Sequence, residues 1–162
     1  AEPIFVYSTE GSPSVLSHSL TQDGSMNLLE CGKTYRVQVT SINEVTESTP
    51  IEQSIIVGQT PGAPINLRVT ESIPTTSIKI EWNHTEDTGC LPLRSYILTV
   101  NGVDQTSLTI TGDTTIITYD ISSGGAIGTI YTLSLRAVND KSEGLASDSI
   151  SVTVGSVPNS PS

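Results

Sequence analysis

The sequence predicts an all-β protein whose antiparallel strands form a sandwich or a barrel. Serine and threonine make up 45 of the 162 residues (23 plus 22), and threonine, like valine and isoleucine, favours pleated, half-buried strands over helices. Apolar and polar residues alternate in many short runs, as strands with one buried face require. No stretch of about eleven residues carries an apolar stripe at helical spacing.

The clearest strands are Ser77–Trp82 and Tyr131–Ala137. In each, apolar side chains occupy every second position and polar or charged side chains lie between them. Four shorter runs repeat the pattern: Leu67 and Val69; Tyr96, Leu98 and Val100; Ile117, Tyr119 and Ile121; and Ile150, Val152 and Val154. Turn residues separate the runs, among them Pro74, Gly89, Asn101-Gly102, Gly112-Asp113, Gly124-Gly125 and Glu143-Gly144. Short strands at such spacing predict an antiparallel sandwich or barrel.

The chain also repeats itself at the spacing of a whole domain. Val57–Pro64 resembles Val154–Pro161 at an offset of 97 residues (154 minus 57), and Tyr35–Asn43 matches Tyr131–Asn139 at an offset of 96 (131 minus 35). A period of this size indicates a domain rather than a solenoid unit. Prolines at the junctions predict short, stiff linkers. We therefore expect a partial domain over residues 1–60, a complete domain over 61–157, and a linker or the start of a following domain over 158–162.

The complete copy resembles a fibronectin type III domain. It has a proline-led first strand (Ala63–Leu67), a tryptophan in the second (Trp82), and Tyr-x-Leu-x-Leu-x-Ala-x-Asn in the sixth (Tyr131–Asn139). The first copy has the related ending Leu29-x-x-Gly32-x-x-Tyr35, so that the resemblance covers essentially the whole chain.

The resemblance implies tandem immunoglobulin-like β-sandwiches, each with seven strands in two sheets. It also implies structural core roles for Trp82, Tyr35 and Tyr131, with the two tyrosines at tyrosine corners. In such a corner the ring is buried and the hydroxyl reaches a backbone partner.

The first copy is expected to be incomplete. Its strands three to seven align with Ile4–Ser8, Val15–Leu20, Met26–Leu29, Lys33–Ile42 and Gln53–Val57. Without the first two strands, roughly 30–40 residues in this fold, an apolar face lies open and invites association. Two resolutions are open: upstream residues of the same polypeptide supply the strands, or another copy donates them. Strand donation would build a filament.

The two cysteines, Cys31 and Cys90, are 59 residues apart with neither CxxC spacing nor a neighbouring histidine, which does not favour a metal site. The resemblance places Cys31 in a loop facing the next domain and Cys90 in a loop facing the previous one. It thereby implies an interdomain disulfide, which would restrict hinge motion and indicate an oxidising compartment. The alternatives are two free buried thiols, or pairing with cysteines elsewhere.

Asn83-His84-Thr85 is an N-glycosylation sequon at the end of a predicted strand, so Asn83 is a candidate glycan site. His18 and His84 belong to no recognisable nucleophile motif. We therefore predict no catalytic residues, no metal ligands and no cofactor. A calcium ion held by loop acids is kept as an alternative, although their spacing matches no calcium-loop motif; these acids are Glu30, Glu86, Asp87, Asp140 and Glu143.

The net charge of −10 disfavours binding to nucleic acid or to an anionic membrane surface. No apolar run approaches the roughly 18 residues of a membrane span. Together these features predict a non-enzymatic extracellular structural or adhesion protein. Its repeats would act as spacers and contact surfaces in a cell-surface, matrix or filament assembly. The expected partners are other copies, neighbouring repeats, or other extracellular proteins and glycans. The alternatives are an accessory spacer of a secreted glycan-degrading enzyme and a receptor ectodomain.

Overall fold

The computed structural model describes residues 7–12, 14–15, 17–73, 76–123 and 126–155. The chain divides into two compact units, Ala1–Gly58 and Gln59–Ser162. Every regular element in the described residues is a strand, which confirms the all-β prediction. Residues 158–162, where a linker or a following domain is expected, lie outside the described residues.

In its described residues, the first unit contains one antiparallel pair of strands, β1 (Thr34–Val39) and β2 (Ile51–Ile56), with Tyr35 opposite Ile55. These strands lie where the sixth and seventh strands of the first copy are predicted. Residues Gln22 and Leu28 form an isolated bridge. The described part of the first unit thus has a two-stranded sheet where strands three to seven are predicted.

The described residues of the second unit form nine strands. They are β3 (Ile65–Ile73), β4 (Ser77–Asn83), β5 (Leu93–Val100), β6 (Val103–Asp104), β7 (Ile110–Thr111), β8 (Ile116–Asp120), β9 (Ile130–Asn139), β10 (Glu143–Ala146) and β11 (Ile150–Thr153). β6 and β7 both pair with β5, and β10 and β11 both pair with β9. They therefore occupy seven strand positions, two of which are split, as the resemblance implies.

The strands of the second unit form two sheets. One has the order β3-β4-β8, and the other the order β10-β9-β5-β6 with β7 and β11 beside it. The inward residues of both sheets meet in one core, in which Ile78, Ile80, Leu98, Leu133 and Leu135 have no exposed surface. This arrangement confirms the β-sandwich, because the alternating apolar residues of both sheets face each other.

Two strands expected in the first unit do not form in the described residues. No strand appears in the described part of Val15–Leu20, and Met26–Leu29 contributes only the bridge at Leu28. A strand persists only where a neighbour accepts its backbone hydrogen bonds. In the second unit β8, which corresponds to Met26–Leu29, pairs with β4, and the described first unit has no counterpart of β4. The segment Ile4–Ser8 lies largely outside the described residues.

Candidate functional site

Both cysteines are disulfide-bonded, and no cysteine in the described chain is free. In the first unit Cys31 shares a turn with Gly32 before β1. Gly32 has a φ of +82°, which glycine adopts without steric cost. Its N–H donates to the carbonyl of Val57 at 2.8 Å. The turn that carries Cys31 is therefore fixed to the residue that follows β2.

In the second unit Cys90 lies in the loop between β4 and β5. Gly89 and Cys90 both have positive φ values, +68° and +61°, and the second is uncommon for a residue with a side chain. The carbonyl of Gly89 accepts a hydrogen bond from the N–H of Gln59 at 2.9 Å. A Cβ atom on Gly89 would overlap the Gln59 carbonyl, so this position requires glycine for both its conformation and its space. The loop that carries Cys90 is thereby fixed to the first residue of the second unit.

Asn139, at the end of β9, ties this loop to the chain entering the second unit. Its side chain is only 4% exposed. Nδ2 donates to the carbonyls of Gln59 at 2.8 Å and Thr88 at 2.9 Å. Oδ1 accepts from the N–H groups of Lys141 at 2.8 Å and Ser142 at 3.1 Å. The buried amide therefore uses both donors and its acceptor oxygen, as buried polar groups generally must.

Further contacts hold the entering segment, Gln59–Gly62, against the second unit. The N–H of Gly62 donates to the carbonyl of Asp87 at 2.8 Å, and the hydroxyls of Thr60 and Ser142 lie 2.8 Å apart. Pro61 is fully buried. We call Gln59–Gly62 the clamped segment. It is a part of the second sandwich rather than a loose linker.

An ion pair reinforces the loop beside Asn139. The guanidinium of Arg94 contacts both carboxylate oxygens of Asp140, each at 2.7 Å, and such bidentate pairing fixes geometry as well as charge. The hydrogen bond from Arg94, followed by its charge, lowers the pKa of Asp140 below its ordinary value. The pair is exposed, so it orients the loop more than it stabilises the fold.

The outer face of the larger sheet carries a second cluster of charges. Arg136 lies 2.6 Å from Asp104 and 3.2 Å from Glu143, and the hydroxyl of Thr99 donates to Asp104 at 2.7 Å. The hydrogen bond from Thr99, with that from Arg136, lowers the pKa of Asp104.

The three residues assigned to the core lie as follows. Trp82 is 1% exposed and meets the ring of Tyr96 edge to face, with ring centroids 5.3 Å apart. Tyr131 is partly buried and packs against the core. In the first unit the hydroxyl of Tyr35 accepts from the N–H of Glu30 at 2.9 Å. This contact with an upstream backbone group is the geometry of a tyrosine corner.

The sequon has an exposed asparagine and a buried threonine. Asn83 ends β4, with its side chain in solvent. Thr85 is 6% exposed, and its hydroxyl donates to the carbonyl of Asp87 at 3.1 Å and accepts from the N–H of the same residue at 3.2 Å. Thr85 therefore has a structural role in the loop that is independent of any glycan.

The two histidines make contacts of other kinds. Nδ1 of His84 lies 2.6 Å from the hydroxyl of Tyr96, and His18 stacks on Tyr7 with ring centroids 3.5 Å apart. Within the residues that the structure describes, no three His, Cys, Asp or Glu side chains are grouped to hold a metal ion. Nor does that part of the chain contain a helix with the length and apolar character to cross a membrane.

Sequence reasoning did not identify Asn139 as the residue that organises this end of the second unit. The signal was present, since an asparagine ends both copies of the tyrosine-led alternation. In the first unit Oδ1 of Asn43 accepts from the N–H groups of Val45 and Thr46, both at 2.9 Å. The same side-chain turn therefore follows the corresponding strand in both units.

Comparison with known proteins agrees with this geometry. Residues 62–153 match the fibronectin type III domain family. No curated protein is similar enough in sequence to match the chain.

Several solved structures are similar. The fourth fibronectin type III domain of a human protein has 23% identity and a TM-score of 0.51, covering 64% of this chain and 88% of that one. Domains A168 to A170 of titin have 15% identity and a TM-score of 0.58, covering 80% of this chain and 44% of that one. The third fibronectin type III domain of human KIAA0343 protein has 23% identity and a TM-score of 0.48, with coverages of 64% and 90%. At these identities the likeness concerns the fold alone.

Proposed function

This chain belongs to the fibronectin type III domain family, and from that premise we propose that it is a non-enzymatic extracellular spacer whose repeats are joined stiffly. A domain of this family is a structural or interaction module. We propose that this module acts as a spacer and contact surface in a cell-surface, matrix or filament assembly. The observation that carries it is the clamped segment, which leaves little free chain before the second sandwich.

Hydrogen bonds hold the residues on both sides of Gly58 within their own units. In the first unit the N–H of Val57 donates to the carbonyl of Lys33 at 2.9 Å. In the second unit Gln59 is held by Gly89 and Asn139. Gly58 is thus the single residue between two anchored neighbours. Because interfaces between such domains are mobile by default, a short connection is the first requirement of a stiff spacer.

The second requirement is a covalent restraint, and we propose that Cys31 pairs with Cys90. Both residues are disulfide-bonded, and the chain contains two cysteines. Within its own unit each cysteine adjoins a glycine that is hydrogen-bonded to a neighbour of Gly58. Such a bond requires an oxidising compartment, which supports a location outside the cell or on its surface.

We propose the outer face of the larger sheet and a glycan on Asn83 as the contact features. The partners would be other copies, neighbouring repeats, or other extracellular proteins and glycans. The exposure of Asn83 is compatible with glycosylation. A mass shift on enzymatic removal of N-glycans from the natural protein would support occupancy, and an unmodified Asn83 peptide would exclude it.

The pairing and the assembly are tested separately. Digestion of the natural protein without reductant should yield Cys31 and Cys90 peptides joined by one disulfide. Separate alkylated peptides would exclude the pairing of Cys31 with Cys90. Electron microscopy of the native material should show rods or filaments. A compact particle with a catalytic domain on the same polypeptide would instead favour a spacer within a glycan-degrading enzyme.

A further inference from the structure

The hairpin between β5 and β6 turns on Asn101 and Gly102, the single Asn-Gly pair of the sequence. Their φ values are +49° and +80°. A two-residue loop with two positive φ values is the type I′ turn that asparagine and glycine favour. Both residues are exposed, and a Cβ atom on Gly102 would meet no atom within 4 Å. The backbone nitrogen of Gly102 therefore has no side chain and no neighbour crowding it on that side.

Two hydrogen bonds hold Asn101 against the neighbouring strand β9. Its N–H donates to the carbonyl of Thr132 at 2.8 Å, and its Oδ1 accepts from the N–H of Thr132 at 2.8 Å. The β5–β9 pairing, in which Val100 lies opposite Leu133, is thereby extended by one residue through a side chain. Turning the side-chain amide of Asn101 towards the nitrogen of Gly102 would break the bond from Oδ1 to Thr132.

We propose that Asn101-Gly102 is a site of spontaneous deamidation, and that the contact with Thr132 sets its rate. The nitrogen of Gly102 bonds to Cγ of Asn101, the Cγ–Nδ2 bond breaks, and Nδ2 leaves as ammonia with the proton of the Gly102 N–H. Water then opens the resulting succinimide at either carbonyl, which gives aspartate or isoaspartate. The attack is intramolecular and so has a high effective concentration, but it proceeds only from molecules in which Asn101 has left Thr132.

The two products differ in their effect on the sandwich. Aspartate keeps the original main chain and an oxygen that can accept from the N–H of Thr132. In isoaspartate the main chain passes through the former side chain, which adds one carbon to the backbone of a two-residue turn. The side-chain bond to Thr132 is then lost. Both products add a negative charge to a hairpin that already carries Asp104.

Asn43 is an internal control in the first unit. Its Oδ1 also accepts from backbone N–H groups in an exposed turn, those of Val45 and Thr46. The residue that follows it is Glu44, whose Cβ and side chain hinder attack by the peptide nitrogen. Asn43 should therefore remain an amide while Asn101 reacts.

The experiment compares the whole oxidised chain with a peptide of residues 98–104 in one mildly alkaline buffer. Peptide mapping at intervals measures conversion at Asn101, and amide hydrogen exchange measures how often the N–H of Thr132 opens. Deamidation should be about tenfold or more slower in the chain than in the peptide. This factor should equal the exchange protection of Thr132 within about threefold, because both processes need the same local opening. In the isolated isoaspartate form Thr132 should lose most of its protection, and in the aspartate form it should keep it.

Matched variants test the role of the hairpin. Asp104→Ala removes the carboxylate that binds Thr99 and Arg136, so the hairpin should open more often, and deamidation and exchange at Thr132 should rise by the same factor. Asp113→Ala removes a similar bond from a threonine in the turn between β7 and β8 and should change neither rate.

Three results would overturn the proposal. They are deamidation as fast in the chain as in the peptide, no conversion at Asn101 while Thr132 exchanges, and unequal changes of the two rates in Asp104→Ala. None of these results bears on the pairing of Cys31 with Cys90 or on the spacer function.

Discussion

Replacing Asn139 with aspartate tests how the clamped segment is held. The change is isosteric, but it removes the Nδ2 donors to Gln59 and Thr88 and leaves a carboxylate oxygen facing both carbonyls. Each lost hydrogen bond removes about 1 kcal/mol, and a buried polar group without a partner costs about 1–3 kcal/mol. We expect a loss of about 3 kcal/mol in the free energy of unfolding, or about 12–24 °C in Tm for a domain of this size.

The fluorescence of Trp82, the single tryptophan of the chain, reports unfolding of the second unit. Asn101→Asp is the matched control, because Oδ1 of Asn101 accepts a hydrogen bond from the N–H of Thr132 at 2.8 Å and a carboxylate still accepts it. The control should lie within about 0.5 kcal/mol of the parent, as exposed substitutions usually do.

The pH dependence of the free energy of unfolding gives a second test of Asn139→Asp. Burial beside two carbonyls raises the pKa of the introduced carboxyl in the folded state above its unfolded value, so the folded variant binds this proton more tightly. The deficit relative to the parent should therefore shrink as the pH falls from about 7 towards 4. A variant as stable as its parent at neutral pH, or a deficit that does not change with pH, would refute this account of Asn139.

Three further predictions concern the second unit. Gly89→Ala should destabilise it by about 2 kcal/mol or more, because the backbone conformation and the available space both exclude a side chain. Gly102→Ala is the control: its φ is positive but the space around it is open, so it should cost about 1 kcal/mol. Equal losses of stability in denaturant melts would contradict the close contact between Gly89 and the clamped segment. Ile80→Ala should cost about 2–5 kcal/mol as a core cavity, against about 1 kcal/mol or less for Ile116→Ala, which is 45% exposed. The lowered pKa of Asp104 should appear as an NMR titration midpoint below that of an ordinary aspartate. Its stabilising effect, present above the unfolded pKa, should fade as the pH falls through the folded pKa, so Asp104→Asn should flatten the acid limb of the stability curve.

Much of the second sandwich can be predicted from the sequence, because a strand with one buried face has apolar side chains at every second residue. The runs at β4 and β9 show this most clearly, and their inward residues form the core. In the first unit, the same alternation in the tyrosine-led repeat predicts the strand that forms β1. The two-residue strands β6 and β7 are too short to carry a period.

The strands expected at Val15–Leu20 and Met26–Leu29 failed for another reason. Composition can favour an extended backbone, but a strand forms only when another strand pairs with it. That pairing depends on the tertiary structure and not on the local sequence. The hydrogen bonds that hold the clamped segment were also not predicted from the sequence. Asn139 acts through four backbone contacts to three separate segments, and one polar residue at the end of a strand gives no periodic signal.

The most direct test of the stiff spacer is ¹⁵N relaxation of the whole chain with and without reductant. Our account predicts that amides of β1–β2 and of β3–β11 report one shared rotational correlation time in the oxidised protein. On reduction of the disulfide, the two sets of amides should separate into two shorter times. Two independent times in the oxidised protein, or a shared time that reduction leaves unchanged, would contradict a joint held by Cys31 and Cys90.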